Sequence, residues 1–173
     1  APRKWLLVSR LTKAKIGPLF EWGQSIFGSA AELHVFGPMQ EQISIPNWVQ
    51  YHGATNPGEL KKTWFPQAAG LITLSEHDEG RPQVILEAMA AGLPVIASPL
   101  SAHTGVITHR ETGWIAGTRK EAVAGIEWLG TEANNVAIGK QARQHMKNAV
   151  GTWADCADRY AAAYQSLLGT THG

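Results

Sequence analysis

The chain has 173 residues, 44% hydrophobic and 17% charged, with 15 Lys and Arg against 14 Asp and Glu. That hydrophobic share excludes disorder. The near-neutral balance argues against bulk-charge binding of nucleic acid, and the length fits one domain with a real core.

The one cysteine, Cys156, leaves no internal disulfide and no cysteine-based zinc site. No apolar run approaches the roughly 18 residues of a membrane span, and no charged-then-apolar leader suggests secretion. Seven tryptophans are scattered along the chain. Packing in core and rim accounts for them better than a stacking platform for sugar or base.

Lys4 to Ser9 is a short apolar run that predicts a buried strand. Ile16 to Phe27 carries apolar residues near helical spacing, with Pro18 in its first turn, and predicts a helix. Leu33 to Phe36 predicts a second strand closed by Gly37-Pro38, and Met39 to Asn47 a loop. Trp48 to His52 predicts a third strand ending at Gly53. Asn56-Pro57-Gly58 then opens a helix through about Gln67, with Asn56 as N-cap and Pro57 in the first turn.

Leu71 to Leu74 and Pro94 to Ala97 predict the fourth and fifth strands, and Thr112 to Ala116 a short sixth. Between them, Pro82 to Ala91 predicts a helix stopped at Gly92. Helices follow over Arg119 to Leu129, Ala133 to Val150 and Thr152 to Leu168, the last with a regular apolar face. Apolar strands alternating with helices mean a parallel sheet covered on both faces, so residues 1–150 predict one doubly wound α/β domain of about six strands. Residues 151–173 add a helix whose partner surface the pattern does not name.

In such a sheet ligands bind beyond the carboxyl ends of the strands. The segment after the first strand holds Arg10, Lys13 and Lys15. This is either a solvated loop or an anion clamp in which Arg forks onto a diphosphate and Lys adds a mobile charge. After the fourth strand come Glu76, His77, Asp78, Glu79, Gly80, Arg81 and Pro82, leading into a helix whose N-terminus favours an anion. Three carboxylates there exceed what helix capping needs. Glu87 sits in an otherwise apolar helical stretch, where a carboxylate is costly unless it finds partners. One partner set that suits it is a ribose diol. A metal site around His77, Asp78 and Glu79 is disfavoured, because adjacent side chains seldom point to one centre.

Glu79 and Glu87 form an E-x7-E pair, and the run from Glu79 to Ser98 resembles the donor-site signature of glycosyltransferase family 4, retaining and metal-independent enzymes of GT-B fold. Arg10-Leu11 with Lys15 is similar to that family's R-L-x-x-x-K phosphate loop. Leu33 to Pro38, Val49 to Gly53, Thr112 to Ile115 and Trp153 to Leu168 resemble its later segments in order, so the resemblance spans nearly the whole chain.

The resemblance implies that Arg10 and Lys15 neutralise the donor diphosphate and that Glu79, the nearest carboxylate to the chemistry, positions hydroxyls of the donor sugar. It implies further that Gly80 and Arg81 lie at the sugar or phosphate, that Glu87 holds the ribose, and that Gly53 and Ala54 lie near the base. Two segments depart from the family pattern. Arg81-Pro82 replaces Phe-Gly, and Ser101 to Gly105 replaces Gly-Gly-x-Pro-Glu without its glutamate.

The expectation is therefore the donor-binding, Rossmann-like C-terminal half of a GT-B enzyme. A nucleoside-diphosphate sugar would be its co-substrate, with no metal and no other cofactor. A missing N-terminal domain would supply the acceptor side and any peripheral membrane contact, at a cytoplasmic location or the inner membrane face. By this reading the 173-residue chain alone transfers nothing. The competing readings are a non-catalytic nucleotide-binding or docking module and a sugar-nucleotide epimerase of the same fold.

Overall fold

A computed structural model describes residues 1–78, 80 and 82–149. Its centre is one six-stranded parallel sheet: β1 (Arg3–Val8), β2 (Ala31–Phe36), β3 (Val49–Gly53), β4 (Gly70–Thr73), β5 (Val95–Ala97) and β6 (Trp114–Ile115), in the order β3-β2-β1-β4-β5-β6. All six strands lie where the sequence places them, shifted by a residue or two at their ends. The β1–β2 register runs without a break from Arg3 opposite Ala31 to Val8 opposite Phe36. Between β2 and β3 it slips, so that Tyr51 faces Val35, Gly53 faces Phe36, and His52 is passed over as the extra residue of a bulge.

Alternation along each strand divides the core in two. Trp5, Leu7, Leu33, Val35, Ile72 and Ile96 face one side, where α1 (Lys13–Ile16), α2 (Leu19–Gly23) and α6 (Arg119–Gly130) cover them. Leu6, Phe36, Leu71, Val95 and Ala97 face the other, under residues 57–67, α4 (Gln83–Ala90) and residues 101–107. A last described helix, α7 (132–149), serves both layers: Ile138 joins the first, Ala142 and Met146 the second. Both faces are thus covered, which is why the strands read as continuously apolar.

The helical expectations change in detail. The segment expected as one helix from Ile16 to Phe27 is two short turns, because Gly17-Pro18 interrupts it: Gly17 takes φ +56 and Pro18 starts the second turn without an amide to donate. The Asn56 helix begins as expected, with the Asn56 side chain accepting from the Gly58 amide at 2.7 Å. It then widens. Pro57–Glu59 is α-helical (α3), Leu60–Trp64 is a π turn, and Phe65–Gln67 tightens to 3-10 around Pro66. Ser101–Thr104 forms a turn of helix (α5) that the sequence reading left undefined.

α4 runs from Gln83 rather than Pro82, and Pro82 gives it no side-chain cap. Its hold on the sheet is packing. Ile85, Leu86 and Met89 are buried, each contributing about 1.5–3 kcal/mol relative to exposure. No described helix is long and apolar enough to cross a membrane.

Candidate functional site

The strand order reverses between β1 and β4, and the carboxyl ends of these strands open a crevice where doubly wound sheets take ligands. Two adjoining cavities fill it. The first, about 350 Å³, is bordered by Arg10 after β1, Phe36 at the end of β2, Ala54 and Thr55 after β3, Lys61 on the π turn, and Glu87 on α4. The second, about 400 Å³, is bordered by Lys15, His77, Asp78 and Gly80. Val8, Ser9, Gln83 and Val84 belong to both, so the two form one cleft. Gln83 and Val84 are the first residues of α4, so the positive end of that helix faces the cleft.

Backbone contacts hold these loops together. The Ser9 amide donates to the Phe36 carbonyl at 3.0 Å, the Gly37 amide to the Gly53 carbonyl at 2.8 Å, and the Glu76 amide to the Ala14 carbonyl at 2.8 Å. Gly37 has φ +141, and a methyl there would overlap the Ser9 carbonyl. Only glycine lets the loops after β1 and β2 pass so closely. The Thr12 side chain caps α1 by accepting from the Lys15 amide at 3.1 Å, which fixes the stretch between the two basic residues.

Arg10 is exposed on the first cavity and Lys15 half-buried on the second, so the basic loop divides its charges along the cleft; Lys13 borders neither. Glu87 has the partners its apolar surroundings demand. Its Oε1 accepts from Gln83 Nε2 at 3.2 Å and lies 3.4 Å from Lys61 Nζ. Ala54 borders the first cavity. Gly53, with φ +75, forms the turn behind it and borders neither. Gly80 borders the second cavity. Glu79 and Arg81 lie outside the described residues, as does the helix expected over Thr152 to Leu168.

Sequence reasoning missed Lys61 and Gln83. Gln83 stands four residues before Glu87, a helical spacing that signals contact. Lys61 carries no such signal, because its Lys61-Lys62 pair reads as a solvated helix face.

Behind the first cavity lies an aromatic group. Phe36 borders the cavity, the His52 ring packs on Phe36 with centroids 4.5 Å apart, and Trp64 meets both. His34 Nδ1 and His52 Nε2 are 2.9 Å apart, and His34 Nε2 lies 2.9 Å from Glu32 Oε1. The two imidazole planes are within 12° of parallel with centroids 5.1 Å apart, and the 2.9 Å approach of their nitrogens marks a hydrogen bond between the rings. Burial of its inner edge, then the neighbouring His34, lowers the pKa of His52 below the ordinary histidine value.

On α5, His103 turns inward. It is buried, with Nδ1 2.8 Å from the Ser98 carbonyl, and Ser98 Oγ donates to the Ser75 carbonyl at 2.6 Å. This stitches the ends of β4 and β5. Among the described residues no three His, Cys, Asp or Glu side chains converge to hold a metal.

A six-stranded parallel sheet in this order, with Arg10, Lys15 and Glu87 bordering a cleft at its switch point, is a domain of the doubly wound α/β class. The chain belongs to the glycosyl transferases group 1 family, whose family model matches residues 25–149. An uncharacterized glycosyltransferase of Haemophilus influenzae is 27% identical over 112 residues, covering 63% of this chain and 31% of that protein.

The fold is that of GT-B glycosyltransferases. A sucrose-phosphate synthase from Thermosynechococcus elongatus superposes with a TM-score of 0.81 at 22% identity, over 98% of this chain and 46% of that one. Anabaena HepE in complex with UDP and glucose superposes with a TM-score of 0.76 at 15% identity, over 93% and 48%. The chain therefore spans about half the length of these solved structures and under a third of the curated relative.

Proposed function

We propose that this chain is the donor-binding half of a retaining, family 4 glycosyltransferase, one that moves a sugar from a nucleoside diphosphate to an acceptor with the anomeric configuration kept. The observation that carries the proposal is convergence. Arg10 and Lys15 from the basic loop after β1, and Glu87 from α4, border one continuous cleft at the switch point. The first cavity, floored by Phe36, Leu60, Phe65 and Val84, suits base and ribose; the second suits diphosphate and sugar.

In the reaction the bond between the anomeric carbon and the diphosphate breaks, a bond from that carbon to the acceptor oxygen forms, and the acceptor hydroxyl's proton passes to the departing diphosphate. Arg10 and Lys15 stabilise the charge that grows on the departing diphosphate. Glu87 holds the ribose hydroxyls, and Glu79 positions the sugar. The resident residues carry this chemistry without a metal. We assign the acceptor side to the part of the longer solved structures that this chain does not cover, and expect residues 1–173 by themselves to bind donor nucleotide and to transfer no sugar. The whole enzyme works in the cytoplasm, with any contact to the inner membrane face made by that other half.

UDP, the ligand of HepE, is the first nucleotide to titrate. Calorimetry is expected to show saturable binding that Arg10→Ala weakens about tenfold or more, the loss of one charge-assisted contact. If UDP, GDP and ADP all fail to bind, or Arg10→Ala binds like wild type, the proposal is wrong, and the docking-module reading takes its place.

A further inference from the structure

We infer that Lys61 is a positioning residue that sets how strictly this site demands a ribose, acting through Glu87; the inference rests on the donor-site reading above. Two independent features place it. The first is contact. Lys61 Nζ and Gln83 Nε2 both engage the same oxygen of Glu87, Oε1, at 3.4 and 3.2 Å. Their hold fixes the carboxylate's rotation and leaves the lone pairs of Oε2 for a ligand's hydroxyls.

The second is the backbone. Leu60, Lys61 and Phe65 all border the first cavity. In an α-helix residues five apart point about 140° away from each other, so Leu60 and Phe65 would not share a wall. The π turn, closed by the Phe65 amide on the Leu60 carbonyl, brings them nearly into line and carries Lys61 with them. Single π turns of this kind recur at functional sites.

As a fold-stabilising ion pair, Lys61–Glu87 has little to offer. The side chains keep 50% and 28% of their exposure, so solvent screens the pair. Its worth lies in orientation. A carboxylate free to rotate accepts a vicinal diol in one of several poses and pays to order itself on binding, whereas one clamped at Oε1 is ready. Lys61 thus tunes ribose recognition rather than overall affinity for phosphates, which stays with Arg10 and Lys15.

The test is a calorimetric comparison of UDP with 2′-deoxy-UDP on wild type, Lys61→Met, Lys61→Arg, Glu87→Gln and the Lys61→Met, Glu87→Gln double variant. Lys61 is half-exposed, and matched thermal melts will confirm folding. Wild type is expected to prefer UDP about tenfold, one missing hydrogen bond to a charged acceptor. Lys61→Met should cut that preference about threefold or more, with little change for the deoxy ligand, and Lys61→Arg should restore it. In the Glu87→Gln background Lys61→Met should change nothing further.

If Lys61→Met weakens UDP and 2′-deoxy-UDP equally, Lys61 contacts the phosphates directly and the inference falls. If it matches wild type for both, the inference falls as well, while the donor-site reading stands. Should wild type bind neither nucleotide, the donor-site reading falls and the inference with it.

Discussion

At the scale of single residues, a carboxylate in an apolar helix is costly enough to demand partners, and that demand was legible at Glu87. The structure supplies the partners that make it tolerable. Lys61 was not legible, because its proximity depends on a π turn that no local pattern announces.

His34, His52 and Glu32 were also invisible in sequence. Two sit on adjacent strands, and only a bulge at His52 aligns the rings. Their hydrogen bonds predict a pH effect. Protonating both imidazoles would turn N–H donors against each other across 2.9 Å. The His52 pKa is lowered on folding, so the unfolded chain binds the extra proton first. Stability is then fully present above the ordinary histidine value, about 6.5, and declines as pH falls from there through the lower folded value. Urea midpoints at pH 7.5 and 5.5 should differ less in His52→Gln than in wild type. An unchanged difference would show that the pair does not couple to folding.

At the scale of elements, all six strands were legible because each is a short apolar run ended by Gly, Pro or a polar turn. Helices were less so. Apolar spacing over Ile16 to Phe27 spoke for one helix, yet Gly17-Pro18 broke it into two turns that still bury Ile16 and Leu19 on the same layer. Asn56 was read correctly as a cap, and its role is larger than one helix start. It anchors the segment that presents Thr55, Pro57 and Lys61 to the first cavity. Asn56→Ala removes the acceptor for the Gly58 amide and should cost about 1 kcal/mol. Chemical denaturation measures that loss. A variant as stable as wild type would mean that packing of Leu60 and Phe65 alone holds the segment.

At the scale of the whole molecule, strand order was not readable. Hydrophobic runs reveal which segments are strands, but the placement of β4 beside β1 depends on pairings between residues about 65 positions apart, such as Trp5 with Gly70. That placement creates the switch point, which periodicity alone does not locate. It also means that the cleft draws on every strand from β1 to β4, so a ligand spanning it braces the sheet's centre against unfolding.

A ligand that binds only the folded state adds about 2.7 kcal/mol at one hundred times its Kd, which raises Tm by roughly 5–10 °C for a domain of this size. UDP, reaching from the apolar first cavity to Lys15 in the second, should give the largest shift at a fixed millimolar concentration. UMP should give less and uridine least, and Arg10→Ala with Lys15→Ala should reduce UDP to the level of uridine. Equal shifts from UDP and uridine would confine binding to the first cavity and remove the diphosphate from the cleft.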